Sequence, residues 1–169
     1  MKNLTLEIIS ENTEYGGYVP CVKVGILLVD NIPTYKLLIT NMVQENMCMA
    51  ATRLFINKES VVMCNPNFYQ SSNSEDLLRL CSHEIAHIEL GHCVEYQTNF
   101  NMDEKRVLEI ELEADEYASK NFILGPTVEL YNRTFGNILG LIGPNDTVAY
   151  RDLVENHLRV RVNALKAFK

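Results

Sequence analysis

The residues able to do chemistry in this chain of 169 concentrate in the stretch Cys81-Ser82-His83-Glu84-Ile85-Ala86-His87-Ile88-Glu89-Leu90-Gly91-His92. His83 and His87 are four positions apart. On an α-helix they stand about 40° from each other on one face, so both imidazoles can reach a single tetrahedral ion. Glu84 projects beside them. It is too close to His83 in sequence to be a third ligand, but well placed to take a proton from a water activated by the ion. Such a short pattern also arises by chance in helices rich in Glu and His. Here the flanking Leu77, Leu78, Leu80, Cys81, Ile85, Ala86, Ile88 and Leu90 are apolar, which predicts a largely buried helix. Buried imidazoles and a buried carboxylate need partners, and a metal ion supplies them.

A catalytic zinc site normally takes three protein ligands and keeps one position open, so a third ligand is needed. Glu111-Leu112-Glu113-Ala114-Asp115 offers it. Glu111 and Asp115 fall on one face of a second helix, and Ala114 and Ala118 would let that helix approach the histidine helix closely. Glu111 is the expected ligand, and Asp115 the expected acceptor for the far ring nitrogen of a metal-bound histidine. The bland alternative is that Glu109, Glu111, Glu113 and Glu116 form a solvated acidic face. His92 competes for the third position. A metzincin pattern, H-E-x-x-H-x-x-G-x-x-H, would need glycine at 90 and histidine at 93, where this chain has Leu90 and Cys93. On a continuous helix His92 also points away from the ion, which predicts contact with free carbonyls at the helix end instead. His157 reads as an ordinary partly buried histidine, and with Tyr150 it is a weak candidate donor to a developing oxyanion.

The elements that must position these residues follow from periodicity. Leu4, Leu6 and Ile8 alternate with polar residues as in a half-buried strand, which Tyr15-Gly16-Gly17-Tyr18 interrupts. Residues 22–29 fit either a strand or a buried helix. Pro33 followed by Tyr35, Leu38, Ile39, Met42 and Val43 predicts a helix over 33–46. Residues 51–56 and 61–64 read as a β-hairpin, followed by a loop with Asn73 or Ser74 as helix cap. The metal helix is expected to run to about Leu90 with Gly91 as its C-cap, and the second helix over 103–124. A shorter helix from Val128, ended by the Gly-rich 136–143 stretch, and a last helix capped by Asp146 complete the chain. The class is α+β: a small antiparallel sheet packed against several helices, as a single domain over 1–169.

Composition narrows the function classes. Apolar residues make up 47% and charged residues 22%, ordinary for a globular chain. A net charge of −7 argues against nucleic acid as a partner. No apolar run, that at 26–29 included, approaches the roughly 18 residues that a membrane span needs, and the N-terminus has no apolar leader segment. Cys21, Cys48, Cys64, Cys81 and Cys93 form an odd set without a C-x-x-C pair, which predicts reduced thiols and a cytoplasmic location.

The two motifs together resemble the gluzincin metallopeptidases, in particular the ImmA/IrrE-type and the HtpX-type groups. The match runs from His83 to His92 and then through Glu111-x-Glu113-Ala114-Asp115-x-Tyr117-Ala118, within residues 51–126. The resemblance implies a zincin-like domain in which His83, His87 and Glu111 bind zinc and Glu84 is the catalytic base. The HtpX-type group carries transmembrane helices that this chain lacks. The ImmA/IrrE-type group usually has asparagine where this chain has Asp115, and its R-I-x-x-L or the L-x-P of the HtpX group finds only faint counterparts here in Arg161-Val162-Asn163-Ala164-Leu165 and Leu124-Gly125-Pro126. The expected activity is zinc-dependent hydrolysis of a peptide bond in a protein or peptide substrate. Its rivals are a partner-binding protein that keeps a structural zinc, and a helical scaffold without metal.

Overall fold

The computed structural model describes residues 1–142 and 147–168. Five strands form one sheet, β1 (Leu4–Tyr15), β2 (Val19–Val29), β3 (Ile32–Ile39), β4 (Met49–Arg53) and β5 (Ser60–Cys64), in the spatial order β1-β2-β3-β5-β4. Six helices follow or flank them: α1 (Pro66–Ser71), α2 (Ser74–Glu89), α3 (His92–Thr98), α4 (Glu104–Asn121), α5 (Val128–Leu141) and α6 (Val148–Ala167). The class is α+β, but the sheet is mixed. β3 pairs with β5 in parallel while the other pairings are antiparallel. Among the described residues no helix is long and apolar enough to cross a membrane.

The helix expected over 33–46 is instead β3, followed by a short 3-10 turn at Glu45–Met47. The deciding signal is Asp30-Asn31, whose φ values of 51° and 66° make a two-residue hairpin turn of the kind that twists with its strands. Once β2 turns back on itself, Leu37, Leu38 and Ile39 gain partners on β2 and then on β5. That pairing outweighs a helical spacing that was present only in part. Pro33 sits beside the irregularity in the β2–β3 ladder, where a missing N–H is tolerated. Residues 22–29 are strand. The β4–β5 hairpin forms, with its first strand ending at Arg53 and residues 54–59 as the turn. Residues 66–71, expected as loop, form α1, because the Asn65 side chain accepts from the backbone N–H groups of Asn67 and Phe68 and Pro66 occupies the first turn. α5 runs through Gly136 and Gly140 to Leu141. Asp146 lies outside the described residues, and the described cap of α6 is Thr147.

One core lies between the sheet and the helices and joins Leu27, Leu37 and Val62 to Leu77, Ile85, Ala114, Phe122 and Tyr131. α2 and α4 cross within it through Ala86, Ala114 and Ala118, all fully buried. Small side chains at the crossing bring the two backbones close, which lets short acidic side chains on α4 reach α2. The end of this helix pair is pinned. Ser82 Oγ donates to Leu124 O at 2.8 Å, and Arg79 Nη1 donates to Gly125 O at 2.7 Å. A Cβ on Gly125 would fall 2.8 Å from Ser119 Cα and 3.0 Å from Ala118 O, backbone contacts that no rotamer change relieves. Gly125→Ala is therefore expected to lower stability by about 1–3 kcal/mol, measured by urea denaturation.

Candidate metal centre

α2 begins at an Asn73 cap whose side chain accepts from Asp76 N, with Glu75 and Asp76 in its first turn, where carboxylates suit the positive helix end. Its buried face carries Leu77, Leu80, Cys81, Ile85 and Ala86, and the same face presents His83, Glu84 and His87. The chain leaves α2 through Gly91, which sits in the left-handed region at φ 78° and starts α3 in a new direction.

His83, His87 and Glu111 come together as a group that can hold a metal ion, their ligand atoms all within 4.8 Å of one another. His83 Nε2 is 3.0 Å from His87 Nε2 and 3.3 Å from Glu111 Oε2, and His87 Nε2 is 3.5 Å from Glu111 Oε1. Asp115, one turn beyond Glu111, is fully buried and lies 2.8 Å from His83 Nδ1. That contact leaves Nε2 of His83 facing the shared point.

His92 corrects one expectation. It is not a free helix-end histidine, because α2 stops before it and the turn at Gly91 carries its ring back, 2% exposed, against His87. His87 Nδ1 and His92 Nδ1 are 3.0 Å apart, and His92 Nε2 is 3.0 Å from Glu113 Oε2. Glu113 in turn pairs with Arg106 Nη1 at 2.7 Å. One proton ordering satisfies the whole chain. Doubly protonated His83 donates to Asp115 and to His87, His87 donates from Nδ1 to His92, and His92 donates from Nε2 to Glu113. The two histidines of the cluster thus have the same design, with Nδ1 held from behind and Nε2 turned to the centre.

Two residues that sequence reasoning did not place complete the site. Arg161 of α6 is buried; its Nε lies 2.8 Å from Asp115 Oδ2, its Nη2 2.9 Å from Asp115 Oδ1, and its Nη1 2.8 Å from Glu111 Oε2. Tyr131 of α5 donates its hydroxyl to Asp115 and accepts from Arg161 Nη2 at 2.7 Å. Arg161 belongs to a basic C-terminal group that reads in sequence as a solvated helix face, an expectation its burial overturns, and Tyr131 falls among the apolar positions of the helix that starts at Val128. Their partners arrive from distant segments, so no local spacing marks them. Tyr150 and His157, the candidate oxyanion donors, do not line the cavity at the cluster, whereas Tyr96 of α3 does.

The charges set the protonation states. Burial lowers the His83 pKa, but the Asp115 carboxylate outweighs it against Arg161, and the pKa is pushed up to about 10. Burial and the His83 charge hold His87 down to about 3, so it is neutral and ready to ligate. Burial works to raise Glu111 and Asp115, yet Arg161 and His83 overcome it. Asp115 is held to about 2 and Glu111 well below the usual carboxylate range. Burial pushes Glu84 up to about 7, with the His83 charge opposing and the Glu111 charge reinforcing it.

No known protein family's model matches this chain, and neither a curated protein nor a solved structure matches it.

A metal ion needs the neutral form of His83, which is protonated below a pKa of about 10 in the metal-free protein. Binding must therefore expel that proton, and affinity must rise with pH rather than fall. The expected result is release of at least about one proton per ion, more near pH 7 where Glu84, pushed up to about 7, also loses its proton, and at least roughly a tenfold gain in affinity per pH unit from about pH 7 to 9. Titration calorimetry in buffers of different ionisation enthalpy measures both.

Proposed function

We propose that the protein is a zinc-dependent peptidase of zincin-like architecture, a hydrolase in which His83, His87 and Glu111 hold the zinc and Glu84 is the general base. The observation that carries this is the placement of Glu84. It is buried in the same cavity as the three-residue cluster, next to His83 on α2, and among the described residues it has no ion-pair partner. A structural zinc is closed by four protein ligands and has no use for a carboxylate poised beside it. Three converging ligands leave room for a water. Zinc is favoured over calcium or magnesium because the donor set is two imidazoles and one carboxylate, where the hard ions take oxygens. Ligands at about 2.0–2.2 Å around a tetrahedral ion lie about 3.3–3.6 Å apart. The separations of 3.0, 3.3 and 3.5 Å are close to that.

When bound, zinc would supply Lewis acidity to a water and to the scissile carbonyl. The remaining work falls to the chain's own residues. Glu84 accepts the proton of the attacking water and returns it to the departing amine, a cycle suited to a carboxyl pushed up to about 7. Asp115, clamped by Arg161 and Tyr131, fixes the tautomer of His83. His92 does the same for His87. The phenol of Tyr96 is the cavity residue suited to donate to the carbonyl oxygen as charge builds on it. The gluzincin resemblance supports this assignment through His83-to-His87 and Glu111-to-Asp115. The five cysteines, all free and buried, fit a reducing cytoplasmic setting.

Glu84→Gln should keep the zinc and lose hydrolysis, with turnover falling at least about 100-fold, because the amide is nearly isosteric but cannot take the proton. Zinc content and peptide turnover measured on one sample check this, and turnover at the unmodified rate removes Glu84 from the mechanism.

A further inference from the structure

Arg161 touches both acidic residues that α4 brings to the cluster, and its fixed shape decides which of their atoms it can hold. A guanidinium is flat, and its five N–H groups point in set directions. Nε and Nη2 grip the two oxygens of Asp115, at 2.8 Å from Oδ2 and 2.9 Å from Oδ1. That two-point grip sets the plane of the group. Its place is fixed from the side as well, because Cζ lies 4.5 Å from the centre of the Tyr131 ring and 5.5 Å from that of Phe135, within reach of a cation–π contact. The side chain is 7% exposed, so it has little room to turn.

Nη1 is the nitrogen that the grip on Asp115 leaves over, and it meets Glu111 Oε2 at 2.8 Å. The two oxygens of Glu111 therefore differ. Oε2 is held by a cation, whereas Oε1 lies 3.5 Å from His87 Nε2 and, among the described residues, accepts no hydrogen bond. An ion that drew on Oε2 would share it with a positive guanidinium, so Oε1 is the better donor to a metal.

We propose that Arg161 is a positioning residue for the candidate metal centre, which reserves Glu111 Oε2 and leaves Oε1 as the single carboxylate oxygen offered to the ion. The proposal rests on the peptidase reading and deepens it. One oxygen from Glu111 and one nitrogen from each histidine make three donors, and the fourth position of a tetrahedral ion stays free for water. Both oxygens together would put a fourth protein donor where that water must bind.

Cobalt(II) in place of zinc reports the number of donors, because a four-coordinate ion absorbs visible light far more strongly than one with five or six. The unmodified protein should show the strong band. Two variants release Oε2. Arg161→Lys keeps the buried positive charge without the fork, and Asp115→Asn combined with Arg161→Met removes both members of the ion pair, so that neither charge is left buried alone. In each, the band should fall by at least about twofold as Glu111 turns to bind through both oxygens, with folding established by near-ultraviolet circular dichroism. Infrared difference spectra of the unmodified protein with and without zinc need no variant to fold. The gap between the antisymmetric and symmetric carboxylate stretches of Glu111, assigned as the bands lost in Glu111→Gln, widens when one oxygen binds and narrows when both do. A widened gap is the expected result. A narrowed gap, a weak cobalt band in the unmodified protein, or a strong band unchanged in a folded variant overturns the role of Arg161 and leaves the peptidase reading standing. Cobalt affinity unchanged in Glu111→Gln overturns both.

Discussion

The structure around the candidate metal cluster depends on one buried interaction, the paired contact of Arg161 with Asp115. Asp115 is fully buried and Arg161 nearly so. Either charge alone would cost several kcal/mol in that position, of the order of 3–5 kcal/mol when a partner is removed. Together, with the Tyr131 hydroxyl and His83 Nδ1 also donating to Asp115, they are satisfied. The pair ties α4 to α6, and through Tyr131 to α5. It also sets the electrostatics that the cluster needs, because the Asp115 carboxylate raises His83 while the Arg161 guanidinium keeps Glu111 ionised.

A divalent ion at the proposed site would change this balance of charge. Without metal, Glu111 and Asp115 face Arg161 and a protonated His83, so the buried centre is formally neutral. When the ion replaces the His83 proton, one positive charge is left over. That excess favours the ionised form of Glu84, held otherwise at about 7, and the charge on Glu84 restores neutrality. On the proposed reading, an ion bound at the cluster would thus bring Glu84 to the ionised state a general base needs. The Arg106 cluster on α3 and α4 has a different character. It joins Glu95 and Glu113 in largely exposed contacts, and its effect on the centre runs only through His92.

How much of this the sequence shows depends on how local each signal is. The convergence of His83, His87 and Glu111 was legible because both pairs of positions are separated by one helical turn, and because Ala114 and Ala118 mark a close crossing. The β4–β5 hairpin was legible from two apolar runs around a polar turn. β3 was not read, since a run of apolar residues in partial helical spacing hides the turn at Asp30-Asn31 that makes it a strand. His92 was misplaced for a related reason: extending α2 through Gly91 sends the ring outward, and a left-handed residue brings it back. Arg161 and Tyr131 were missed as site residues because their partners lie 46 and 16 positions away in the chain, and only tertiary packing brings them together.

On the proposed reading two imidazoles and the Glu111 carboxylate hold the ion. X-ray absorption at the zinc edge of protein loaded with one equivalent of zinc tests it most directly. A low-coordinate shell of nitrogen and oxygen at about 2.0–2.2 Å with the scattering of two imidazoles is expected, and a changed shell in Glu111→Gln. A sulfur shell at about 2.3 Å, which would bring in Cys93 or another thiol, would contradict it. So would a Glu111→Gln spectrum identical to that of the unmodified protein.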